Sequence, residues 1–148
     1  MHHHRMATQA DVRRIALALP HAEEGDGHFA FSVPNKGKLK GFAWVWMERI
    51  NPRKPRVANP DVLAIRVASV GVRDTMISAD PKKFFTEPHY AGFPAVLVRL
   101  AEVTPADLRL LLAEGWRCMA PKELLGDSTP NRTPARKKAP AKRPTRKR

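Results

Sequence analysis

Residues 28–47 read HFAFSVPNKGKLKGFAWVWM, and this stretch decides the fold class. Phe29, Phe31 and Val33 alternate with small or polar residues, the period-two pattern of a half-buried strand. Residues 41–47 form a second strand. By the same period Phe42, Trp44 and Trp46 share one face, and Ala43, Val45 and Met47 share the other. A strand apolar on both faces sits centrally, or has one face under helices and the other under a loop. The connecting PNKGKLKG is rich in turn residues, so the two strands are expected to be neighbours.

Outward from this pair the pattern is mixed. Residues 8–19 predict a helix. Thr8 caps it with Asp11 three residues on, and Val12, Ile15, Ala16 and Leu19 form one apolar stripe that Pro20 stops. HAEEGDG reads as a loop, and residues 48–61, with three prolines and no period, as a long loop. Residues 62–68 and 95–100 predict two further strands, with a short helix over 72–79 and a loop over 86–94 between them. Thr104-Pro105-Ala106-Asp107 is a helix start, followed by Leu108, Leu111, Leu112, Trp116 and Met119 at helical spacing and closed by Pro121. The expected fold is α+β: a two-layer sandwich in which N- and C-terminal helices pack on one face of an antiparallel sheet, followed by a disordered basic tail. Residues 7–126 make the domain, 1–6 a tag remnant or disordered start, and 127–148 the tail.

Charge is concentrated in two places. The tail, DSTPNRTPARKKAPAKRPTRKR, holds nine Lys or Arg against one Asp, a net +8 of the chain's +13, with four prolines and no large apolar residue. Such a segment has too little apolar surface to offset its ordering entropy, and it gains affinity for polyanions by counterion release. Between Pro34 and Pro60, Lys36, Lys38, Lys40, Arg49, Arg53, Lys54 and Arg56 stand against Glu48 alone. With one cysteine, Cys118, no internal disulfide forms. No apolar run has the length of a membrane span, and MHHHRM lacks the apolar centre of a signal peptide.

Three stretches carry a resemblance: LALPHAEEG (17–25), FTEPHYAGFPAVLVRL (85–100) and WRCMAPKEL (116–124). From about Ala10 to Leu125 the chain resembles the MmcQ/YjbR family, most specifically at Pro88, His89, Tyr90, Gly92, Pro94 and Ala95, then at Trp116, Arg117, Ala120, Pro121 and Lys122. The resemblance implies a small frataxin-like α/β domain and carries the label DNA-binding, on the idea of a double-wing arrangement.

As wings, the turn with Lys36, Lys38 and Lys40 and the loop with Arg49, Arg53, Lys54 and Arg56 would grip phosphates. In a meander they sit at opposite ends of the sheet, so they do not clamp one phosphate. The same charges also fit loops that simply meet water. Trp44 and Trp46, between the wings, are expected in the core rather than stacked on bases. The His89-Tyr90 loop is the candidate ligand or acid–base site; its imidazole is expected to support the loop's own backbone groups instead. His21 with Glu23 and Glu24 lacks a metal-ligand spacing, and Cys118, beside Arg117, reads as a packing residue. No nucleophile elbow, phosphate-binding glycine loop, Cys-Cys pair or HExxH appears, so neither catalytic residue, metal nor cofactor is expected.

The sequence therefore points to a non-enzymatic, cytoplasmic DNA-binding protein, a monomer, contacting phosphates without much sequence preference. RNA is an alternative polyanion, and no membrane partner is expected. The tail cations Arg136, Lys137, Lys138, Lys142, Arg143, Arg146, Lys147 and Arg148 act first and the basic loops second. The competing reading is a small-molecule or protein-interaction module whose tail is a solubilising or general polyanion-attaching arm.

Overall fold

In a computed structural model of the full chain, residues 5–127 are described. The tail from 128 onward, with its expected disorder and its eight named cations, lies outside the described residues, as do His2, His3 and His4. The element order is α1 (Gln9–Leu17), β1 (Glu23–Glu24), β2 (Ala30–Asn35), β3 (Lys38–Glu48), β4 (Val57–Arg66), α2 (Val70–Ala79), β5 (Phe84–Phe85), β6 (Ala95–Arg99), α3 (Pro105–Met119) and α4 (Lys122–Asp127). The strands form one antiparallel sheet in the order β1-β2-β3-β4-β6-β5. The two-residue strands β1 and β5 close its edges, where loop or mixed structure was expected. Among the described residues, no helix is long and apolar enough to cross a membrane.

The helix layer forms because two local signals agree. Thr8 and Asp11 make a reciprocal capping box at α1, and Thr104 and Asp107 make another at α3 behind Pro105. Val12, Ile15 and Ala16 of α1 and Leu108, Leu112 and Trp116 of α3 are buried against Phe31, Val33, Phe42, Leu63, Ile65, Val96 and Val98 of the sheet. The α+β two-layer architecture is therefore present as read from the sequence. Trp116 is its largest enclosed side chain, 1% exposed, and its indole Nε1 donates to Pro20 O at 2.9 Å.

The register of the sheet departs from strict alternation at two points. Phe31 pairs with Ala43 but Ser32 pairs with Gly41, so Phe42 is an extra residue in β3. That bulge turns Phe42 toward the helices beside Ala43, while Trp44 and Trp46 face the opposite side. The simple period had placed Phe42 with the tryptophans. On β4, Val45 pairs with Leu63 and Trp46 with Asn59, leaving Pro60–Val62 out of register. A proline has no N–H for a ladder, and a bulge is where a strand tolerates one. The strand thus begins at Val57, inside the segment read as loop, and ends at Arg66 rather than 68.

The helix layer approaches the bulge closely. A Cβ on Gly115 of α3 would stand 2.8 Å from Ile65 Cγ2 and 3.0 Å from Phe42 O. Two of the nearest obstacles, Phe42 O and Arg66 O, are backbone and cannot swing aside. Beyond α3, Ala120 and Pro121 turn the chain and α4 follows, where the sequence reading placed the last residues of the domain without a further helix.

Candidate nucleic-acid interface

The β2–β3 connection is a two-residue turn. Lys36 (φ 55°) and Gly37 (φ 82°) both take left-handed backbone, the geometry that matches the twist of a hairpin. Asn35 Nδ2 donates to Met119 O at 2.9 Å and ties the hairpin tip to the last turn of α3. Lys38 pairs with Asn35 and Lys40 with Val33, whose side chain is buried under the helices, so Lys38 and Lys40 project to the helix side. There they border a cleft of about 720 Å³ with Asn35, Lys36, Ala120, Pro121, Lys122 and Glu123. Among the described residues, none of these four lysines has an ion-pair partner.

The second expected wing differs. Arg56 Nη1 donates to Met47 O at 2.9 Å and lies 3.8 Å from Glu87 Oε2. Arg49 Nη1 donates to Lys54 O at 3.0 Å. Two of the four cations thus brace this end of the sheet, while Arg53 and Lys54 are exposed and their side chains have no partner among the described residues. The loop also lies at the far end of β3. Eleven residues at about 3.3 Å each place it roughly 30 Å from the lysine turn, farther than a six-residue strand implies. The seven cations do not form one continuous face.

The open face of the sheet carries Trp44, Trp46 and Phe85 over Val62, Ala64, Tyr90 and Leu97. Trp44 Nε1 donates to Tyr90 Oη at 3.0 Å. Tyr90 is buried and its ring stacks 5.9 Å from Phe93. Both tryptophans are half-buried and occupied by intramolecular contacts, in line with a packing role.

His89 does not support the loop backbone as expected: it is exposed, and its imidazole makes no hydrogen bond among the described residues. Arg73 of α2 does so instead. It is 4% exposed, and its guanidinium donates to Tyr90 O at 2.6 Å, Ala91 O at 3.1 Å and Phe93 O at 3.2 Å. An imidazole has two ring nitrogens; a guanidinium has five N–H donors in a fork, enough to serve three carbonyls at once. The signal was present in the sequence: Val70, Arg73 and Ile77 share one helical stripe, so the arginine points inward.

Arg13 bonds Glu24 through two nitrogens, at 2.9 and 2.8 Å, and holds its carboxyl below the usual range. Among the described residues, no three or more His, Cys, Asp or Glu gather where a metal would sit. Cys118 lies at the surface, but partial desolvation of its thiol, with Glu114 adding, raises its pKa. Arg117 pairs instead with Glu114, at 3.7 Å. The sequence reading expected a packing residue at Cys118; at the end of α3 the side chain is instead exposed.

A small α+β domain with one lysine-lined cleft is thus the class that fold and site define. The chain belongs to the same family as the uncharacterized protein Rv2570 of Mycobacterium tuberculosis and the uncharacterized protein Mb2600 of Mycobacterium bovis. Each is 36% identical to it over 128 residues, which cover 81% of this chain and 94% of the relative. No family model matches the chain, and no solved structure matches it.

Proposed function

We propose that this protein binds DNA through phosphate contacts, largely without sequence preference, as a cytoplasmic, nucleoid-associated member of the MmcQ/YjbR group. The observation that carries the reading is the place of α4, whose first residue, Lys122, lines the lysine cleft. Six helical residues span only about 9 Å. The chain therefore leaves α4 close to the cleft, and nine cations follow in the sequence. Lysine serves phosphate as a point charge and needs no base edge.

This reading replaces a symmetric two-winged grip with a one-ended one, because Arg49 and Arg56 are bonded to their own chain. The test is fluorescence anisotropy with a labelled duplex and its scrambled counterpart. Nearly equal affinities are expected. A strong preference for one sequence would place recognition in base contacts and overturn the proposal.

A further inference from the structure

The lysine cleft has a shape that a duplex backbone does not use well. Its volume of about 720 Å³ falls in the range of small-ligand sites, roughly 300–1,000 Å³. Its apolar lining is Ala120 and Pro121, with no aromatic ring on which a base would stack. Four lysines line it, Lys36, Lys38 and Lys40 from the β2–β3 hairpin and Lys122 from α4, with the one acid Glu123. A duplex presents phosphates along a convex cylinder, about one per 3.4 Å of axis on each strand. Only one or two of them can enter a recess of this kind.

The cleft is also built before any ligand arrives. The Asn35–Met119 hydrogen bond fixes the hairpin tip against α3. The two-residue turn fixes Lys36 at the rim, in a left-handed conformation that Asn or Gly adopts at lower cost. A lysine kept at such a position holds a charge where backbone preference alone favours another residue. A backbone fixed beforehand lowers the ordering cost of binding.

We infer that this cleft is the seat of a compact oligophosphate, a chain of phosphoryl groups either free or carried on a nucleoside. Such a chain brings several negative charges within a few bond lengths, so that Lys36, Lys38, Lys40 and Lys122 engage it together. The seat goes beyond duplex binding: a soluble oligophosphate would compete with nucleic acid for the folded domain and leave the tail free to bind.

Isothermal titration of the full chain with inorganic tripolyphosphate, near physiological salt, tests this. Saturable one-to-one binding is expected. The double variant Lys36→Asn, Lys122→Gln should weaken it about tenfold or more, the loss of two charge-assisted contacts. Lys36→Asn keeps a residue suited to the turn, and an unchanged thermal midpoint verifies the fold. A full-length protein with the tail cations changed to Gln should stay within about threefold of the parent. A nucleoside triphosphate competing as well as tripolyphosphate assigns the nucleoside-borne source; a weaker competitor assigns the free chain. Three results would overturn the seat: no saturable binding, binding that follows the tail and not the cleft, or orthophosphate binding as tightly as tripolyphosphate. Duplex binding by the same proteins separates the two readings. A chain that takes tripolyphosphate but no duplex keeps the seat and loses the nucleic-acid function; the reverse keeps the function and loses the seat.

Discussion

At one end of β3, Lys36, Lys38 and Lys40 line a cleft and have no ion-pair partner among the described residues; at the other, Arg49 and Arg56 bond carbonyls of the loop and of the strand end before it. Both ends read as basic turns. The difference lies in what each end rests on. The lysine turn is strapped by Asn35 to α3, so its shape is maintained by the core and its cations are free. The β3–β4 loop uses its own arginines as braces, Arg49 to Lys54 O and Arg56 to Met47 O at the end of β3. An arginine that donates to a nearby carbonyl is held in place by its own chain, so equal charge in sequence is deployed differently at the two ends.

The largest expected effect concerns the support of the lysine end. Trp116→Ala should cost about 3–5 kcal/mol in chemical denaturation, the range for deleting a fully buried aromatic side chain. A loss below about 1 kcal/mol would mean that α3 does not hold that end, and the comparison would fail.

Gly115→Ala sharpens the same point. The added methyl gains helix propensity of up to about 1 kcal/mol, but meets Ile65 Cγ2 and Phe42 O at distances that force a shift. Overpacking of this kind costs about 1–3 kcal/mol, so a net loss is expected. A stabilised variant would show that α3 has room above the bulge.

The two ends should then separate in a pair of substitutions. Arg56→Gln removes the bond to Met47 O and the pairing with Glu87, and should cost about 1 kcal/mol while leaving DNA affinity nearly unchanged. Lys36→Asn should do the opposite, leaving stability intact and weakening DNA binding. Equal behaviour of the two variants in both assays would erase the distinction between brace and ligand group.

The smallest effect is on the acid side of the helix layer. Asp11 receives two hydrogen bonds from Arg5 and one from Arg14, and its pKa is held well below the carboxylate range, chiefly by Arg5. Glu24 is lowered by Arg13, and Asp107 first by the Thr104 backbone N–H. Each folded pKa lies below its unfolded value, about 3.9 for Asp and 4.3 for Glu. Their stabilisation is fully present above that value and is lost as pH falls through the folded one. Thermal midpoints should decline below about pH 4, and Asp11→Asn should flatten that decline. An unaltered acid limb in the variant would exclude Asp11 as a contributor.

Much of the fold was legible because its signals are local. The capping boxes at Thr8 and Thr104 and the stripe ending in Trp116 need only residues three or four apart. The bulge at Phe42 was not legible, since it depends on how β2 pairs across a turn. Nor was the strand through Pro60, whose proline is accommodated only by the irregular register with β3. The site was half visible. Lys36, Lys38 and Lys40 stand out as charges, but Lys122 joins them only when α3 ends beside the hairpin. Arg73 acts on carbonyls 17 to 20 positions away, and only its place on the Val70–Ile77 stripe hinted at burial.

The most direct measurement is the salt dependence of duplex binding by the full chain and by a chain ending at Asp127, the last residue of α4. With about five to seven phosphates neutralised, log affinity of the full chain should fall with log salt at a slope of roughly −4.5 to −6, from about −0.9 per phosphate. The shorter chain should bind weakly at physiological salt with a slope no steeper than about −2, the share of the one or two phosphates that enter the cleft. A shorter chain that binds tightly, prefers one sequence and barely responds to salt would contradict the account.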